Sequence, residues 1–462
     1  MMPAPTIDHM IYTLSEIAVY CGYHPSQPGS TRAAISEDNR HLLDALNKLS
    51  LLIVTGDPGD VAAVSLHETA GKRIELCYSK NRPCTPDETA YITELFTITT
   101  DPTSSGNIKF SFLFNLVLRR FKDKILARLY KLCDRLRELG KKDDYTFATL
   151  NSRAGVSHNP EATKCSAQIR KLVGTERFPL DSSLMDFLRS WFGQLLNNLQ
   201  PGSCFDLQSN KRLVHETITI SHLLAHKPQA ALIPDPTLVH PIRKLGDYHA
   251  AISVIIEELA KLDVGGGGGV SLKEVSQRLG FFSSQMPKCL LKQIVHPPPD
   301  TRFSGDFLTI LNECARNHGT TEVTKEDLSK AYSGKRELLS APEVVLKASV
   351  HCECSLALAF AKSRLTSRIP TTLIIGMSKL PCWWCREFLV TIHDSYPHIT
   401  IHVPPCSGKL RSGWTLPPET PLKVVGGMHK RLDGEIKQVL TRSIGTRRIS
   451  NQITPDSDSV LG

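Results

Sequence analysis

No stretch of the 462 residues approaches 18 consecutive apolar side chains, so nothing in the sequence is long enough to cross a membrane as a helix. Met1 to Tyr20 lacks a basic segment ahead of an apolar run, and no secretory signal peptide is expected there. No internal repeat is present. The run Gly265 to Gly269 is not followed by Gly-Lys-Ser/Thr, so it reads as a flexible loop tip and not as a phosphate cradle. The 13 cysteines are odd in number and scattered, apart from two close groups. That usage fits reduced thiols, hence a cytoplasmic or nuclear location, better than a disulfide framework. What is present, 41% hydrophobic and 22% charged residues, describes a globular chain with enough residues for one large domain with insertions or two to three ordinary ones.

The formal charge of +9 permits a polyanionic partner without requiring one. Much of the excess lies between Leu116 and Lys142, where ten Lys/Arg face three acids. Leu118, Phe121, Ile125, Leu129, Leu132, Leu136 and Leu139 recur there at spacings of three and four, which predicts one long amphipathic helix with a basic outer face. A solvated face packed on its own domain is the plain reading, and a nucleic-acid or partner surface is the alternative. Asp38 to Val54, Leu184 to Leu199 and Leu213 to His226 also read as helices. His222 and His226 stand four apart, but no Glu follows in H-E-x-x-H order, so they are not taken as metal ligands. Val61 to Leu66 and Arg73 to Ser79 flank a turn around Thr69-Ala70-Gly71 and predict a β-hairpin. His296-Pro297-Pro298-Pro299 marks a break. Thr372 to Met377, His398 to Val403 and Leu422 to Val425 read as strands, and Met428 to Leu440 as a closing helix. From Arg442 onward no apolar periodicity remains, and Arg447-Arg448-Ile449-Ser450 has the form of a kinase site in a disordered tail.

The chemistry concentrates in His351-Cys352-Glu353-Cys354 and Pro381-Cys382-Trp383-Trp384-Cys385. An imidazole and two thiols suit Zn²⁺, and three protein ligands leave a fourth tetrahedral position open, as catalytic zinc sites do. A carboxylate two residues after the histidine is placed to move protons. Two plainer readings stand beside this one: a closed site built from Cys352, Cys354, Cys382 and Cys385, and no metal at all. Cys352 and Cys354 otherwise read as small buried hydrophobes, and Trp383 and Trp384 as core between helix and sheet.

His351-x-Glu353…Pro381-Cys382-x-x-Cys385 resembles the signature of the zinc-dependent cytidine/adenosine deaminase superfamily. Gly408-Lys409…Gly413-Trp414 is similar to a segment of its deaminase-like family of bacterial toxin-type effectors and uncharacterised fungal proteins, a likeness good over roughly 335–440. The resemblance implies an α/β fold, the cytidine deaminase-like three-layer α/β/α sandwich with a mixed sheet, here with a large mainly helical insertion. It implies Zn²⁺ on His351, Cys382 and Cys385, which lowers the pKa of bound water. Glu353 takes that water's proton, hydroxide attacks C4 of cytosine or C6 of adenine, and protons pass to ring nitrogen and leaving ammonia.

Asn81, just beyond the hairpin, together with Lys409 and Trp414, is implied to contact substrate. The expected organisation is a helical segment over 1–34, helix and hairpin over 35–83 as the possible first part of the deaminase fold, a helical insertion over 84–338, the zinc region over 339–440 and a tail over 441–462. The expected activity is hydrolytic deamination of a nucleobase in a nucleotide or nucleic acid, RNA or single-stranded DNA included. The alternative from another class is a non-catalytic zinc module that binds nucleic acid or protein through the basic helix.

Overall fold

The computed structural model describes residues 36–54, 60–68, 74–101, 103–140, 160–200, 205–225, 235–263, 290–293, 349–365, 369–411 and 414–439, with isolated positions elsewhere. The glycine run, the His296 break, His226 and the tail with Ser450 lie outside the described residues. The chain divides into two compact units. The first comprises Met1–Leu51, Asp60–Pro86 and Gly268–Gly462; the second comprises Leu52–Gly59 and Asp87–Gly267.

The first unit is built on a five-stranded sheet of order β3-β2-β1-β4-β5. Its strands are β1 (Ala62–Glu68), β2 (Ile74–Lys80), β3 (Leu290–Gln293), β4 (Thr371–Met377) and β5 (Ile399–His402). β1 and β2 form the expected antiparallel hairpin, with Ala62 opposite Lys80. β1 also runs antiparallel to β4, where Ala63 faces Met377. β3 lies parallel to β2 and β5 parallel to β4, so the sheet is mixed. Lys80 at the end of β2 is neutralised by Asp60 at 2.9 Å, both side chains fully buried.

The period of two along β4 separates the faces. Leu373, Ile375 and Met377 enter the core shared with α9 (Cys352–Arg364) and α10 (Trp383–Ser395). Gly376 faces the other way, against α1 (Glu37–Ile53), where any Cβ would run into the backbone of Leu46 and Asn47. Asn47 then accepts the Met377 N–H at 2.8 Å, which fixes α1 to the end of β4. Helix, sheet and helix make three layers, and Leu43, Leu46 and Leu49 turn inward from α1 as its periodicity requires.

Leu422 to Val425, expected as a strand, is instead the first turn of α11 (Leu422–Val439). Pro421 opens it, its carbonyl accepting from Val424 at 2.8 Å and Val425 at 3.0 Å. The following Gly426-Gly427 is no turn: a Cβ on Gly427 would lie 2.5 Å from Thr391 of α10, so the glycine permits close helix–helix contact.

The second unit is helical: α2 (Pro86–Thr100), α3 (Gly106–Arg120), α4 (Lys122–Gly140), α5 (Pro160–Val173), α6 (Leu184–Asn198), α7 (Lys211–Ala225) and α8 (Pro236–Asp263). The single helix expected from Leu116 is two helices, interrupted at Phe121, which leaves helical geometry at φ −104°, ψ 20°. The apolar period runs on through the break because Phe121 itself is buried, against Tyr91 and Tyr248. α6 opens on Ser183, whose hydroxyl accepts the Asp186 N–H at 3.1 Å, and buries Trp191 and Phe192. α7 and α8 approach closely at Gly246, where a Cβ would come within 2.7 Å of the His222 backbone.

Candidate metal centre and active site

Two helix N-termini of the first unit deliver the candidate ligands. His351 is the residue before α9 and Cys382 the residue before α10, both extended and neither capping its own helix with its side chain. Their side chains are therefore free to converge beside the positive ends of two helices. Cys385, in the first turn of α10, completes the set. His351 Nδ1 lies 3.1 Å from Cys385 Sγ and 3.6 Å from Cys382 Sγ, and the two sulfurs are 3.3 Å apart. Among the described residues this is the one group of three potential ligands whose donor atoms all lie within 4.8 Å of one another.

The donor set fits a zinc ion. Tetrahedral Zn²⁺ with Zn–S about 2.3 Å and Zn–N about 2.0 Å spaces its ligands about 3.5–3.8 Å apart; the His351–Cys382 pair already has that spacing, and the other two pairs are a few tenths shorter. Burial pushes both Cys382 and Cys385 thiols well above their ordinary value, with mutual hydrogen bonding adding to it for Cys382. For His351, burial opposes the charged form, but the hydrogen bond and charge of Cys382 outweigh it, and protonation is favoured. A bound cation would reverse those preferences, favouring two thiolates and a neutral imidazole.

Glu353 is 2% exposed, in the first turn of α9. The Cys352 thiol donates to its Oε2 at 3.4 Å. Cys352 and Cys354 are buried and stand outside the ligand group, so the closed four-cysteine arrangement is not what forms. Trp383 and Trp384 are core, edge to face at 4.9 Å, and the Trp384 indole N–H donates to Ser15 at 3.2 Å.

The residues expected to touch substrate separate into three cases. Lys409 is exposed on the loop that follows β5. Asn81 uses its side-chain oxygen to accept the Val61 N–H at 3.3 Å, closing the open end of the hairpin. Trp414 is 1% exposed between Trp384 and Phe388, so its expected substrate contact gives way to a packing role. Arg411 was not singled out from sequence, yet its positive charge acts on His351. Its only sequence signal is a place two residues beyond Lys409.

Residues 350–418 match the family described as OTT_1508_deam-like deaminase. This segment is a deaminase-family domain, and its His/Cys/Cys cluster fits a zinc-binding deaminase site. The mixed sheet with helices on both faces is consistent with the cytidine deaminase-like fold. No curated protein and no solved structure matches the chain. Among the described residues no helix is long and apolar enough to cross a membrane.

Proposed function

We propose that this protein is a zinc-dependent hydrolytic deaminase acting on a cytosine- or adenine-type base, inside the cell, and that the hairpin of residues 62–80 belongs to its catalytic fold. The observation that carries the reading is the convergence of His351, Cys382 and Cys385, with buried Glu353 on the helix that His351 precedes. Zinc on those three residues would supply Lewis-acid activation of water. Glu353 takes a proton from the attacking water and gives it to the ring nitrogen, which is the general acid/base work a shielded carboxylate can do. A second proton goes by the same route to the departing amine. The net change replaces C–NH₂ with C=O, consumes one water and releases one ammonia. Burial around Glu353 keeps bulk water from competing for those protons.

Purified full-length protein should carry about one zinc per chain and release ammonia from at least one of cytidine, adenosine, guanine-type nucleosides, single-stranded RNA or single-stranded DNA. Full-length protein that holds zinc and deaminates none of these would favour the binding-module reading over the enzyme.

A further inference from the structure

β2, β4 and β5 all end at the same edge of the sheet. Lys80 closes the register opposite Ala62, Ser378 just past β4 donates to the Ala62 carbonyl at 3.0 Å, and His402 ends β5 beside Ile374. The three segments that leave this edge, 81–85, 378–382 and 403–411, contain Arg82, Lys379, Lys409 and Arg411, and no Asp or Glu. In α/β sheets ligands are bound outside the carboxyl ends of strands, and Cys382 lies in one of these segments.

The 403–411 loop is fastened to the metal centre at both ends. Ser407 donates to the Pro381 carbonyl through its N–H at 2.9 Å and its hydroxyl at 3.0 Å, and the Trp383 N–H donates to Lys409 O at 2.9 Å. Gly408, at φ +69°, makes the left-handed turn between those two anchors. At the far end the Trp414 N–H donates to Arg411 O at 3.1 Å, and Thr415 N–H to Ser349 O at 3.3 Å, two residues before His351. Lys409 and Arg411 are therefore held between the two ligand-bearing segments. Lys379, Lys409 and Arg411 are exposed, and among the described residues no carboxylate forms an ion pair with them.

Cations gathered without acids repel one another and attract an anion to the site they surround. A neutral nucleoside offers them acceptors but no negative charge. A phosphate does, and a guanidinium meets it with paired, charge-assisted hydrogen bonds.

We infer that this rim recognises phosphate, through Arg411 with help from Lys379 and Lys409, so that the substrate of the proposed deaminase is a phosphorylated nucleoside, either a free nucleotide or a nucleotide unit of a single strand. The inference rests on the deaminase reading above.

The test is calorimetric binding to the full chain carrying Glu353→Gln, which prevents turnover. The probes are cytidine, adenosine, their 5′-monophosphates, and short single-stranded RNA and DNA. A phosphorylated probe should bind roughly tenfold or more tightly than its nucleoside, the scale of a charged hydrogen bond. Preference confined to the monophosphates identifies a free nucleotide, and preference confined to the oligonucleotides identifies a strand; either supports the inference.

Adding Arg411→Ala should shrink the preference to about twofold or less with zinc content and melting temperature retained, and Arg411→Lys should restore part of it. If Arg411→Ala does not fold, the Lys379→Ala/Lys409→Ala double variant, both sites exposed, reads the same ratio. Nucleosides bound as tightly as their phosphates, or a preference untouched by these changes, overturns the inference and leaves the deaminase reading standing. No binding of any probe, with no deamination by the wild-type chain, overturns both.

Discussion

The helical unit and the candidate metal centre of the sheet unit treat their buried ionisable groups differently. In the helical unit, cations are matched locally. Glu216 is held by Arg177 at 2.5 Å and Arg212 at 3.0 Å, Arg120 meets buried Glu88 at 3.3 Å, and Arg128 lies over the Tyr248 ring while donating to the Lys244 carbonyl. Several of its basic side chains thus meet carboxylates, carbonyls or rings of their own unit. In the sheet unit, Asp60 and Glu387 are likewise paired, with Lys80 and Arg431, but the candidate metal centre brings an imidazole and two thiols within 4.8 Å of one another. The first arrangement is stable as it stands. The second, as it stands, favours neutral thiols and a protonated imidazole, the reverse of what a bound cation requires, and perturbed groups of this kind concentrate where chemistry is done.

Breaking the metal centre should have the largest effect. Cys385→Ala removes a proposed ligand, and since metal ligation by cysteine contributes to folding outright, zinc content should fall to near zero, and metal analysis with thermal melting should show loss of both metal and stability. Full zinc in a Cys382/Cys385 double variant would falsify the ligand assignment. Next is Gly376→Ala. The added methyl has backbone on its far side, not a flexible side chain, so α1 must move off β4, and denaturant titration should show destabilisation of about 3 kcal/mol. In the helical unit, Glu216→Ala strips a buried carboxylate from two arginines and should cost about 2 kcal/mol in the same titration, with zinc content unchanged. Smallest is Arg135→Ala, which removes an exposed pair with Glu138 and should cost under about 0.5 kcal/mol, the exposed-pair range. If Arg135→Ala cost as much as Glu216→Ala, the distinction between buried and solvated charge in that unit would be lost.

How far these features are legible in the sequence depends on the range of the physics behind them. The grouping of His351, Cys382 and Cys385 can be read directly, because ligand chemistry and the C-x-x-C spacing define it. The hairpin and β4 can be read too, since alternation and turn residues are local signals. What escapes is set by long-range packing. Nothing in Leu290 to Gln293 announces that it pairs parallel with β2. The break at Phe121 hides inside an unbroken apolar period, because the residue that leaves the helix still points into the core. Leu422 to Val425 looks like a strand running into a two-glycine turn, and only the approach of α10 explains Gly427. Trp414 resembles a residue at a site mouth until its neighbours Trp384 and Phe388 are known. Arg411 gains meaning only from the loop's attachment to Pro381 and Ser349.

The central claim, that the buried carboxylate beside the thiol pair moves protons in a deamination, rests most directly on Glu353→Gln. The change keeps the size of the side chain and removes its ability to shuttle a proton. Measured as ammonia release per zinc on whichever substrate the wild-type chain turns over, activity should fall by roughly 10²–10⁴-fold with zinc content and melting temperature near wild type. A variant that matches the wild-type rate with the same zinc content would contradict the account.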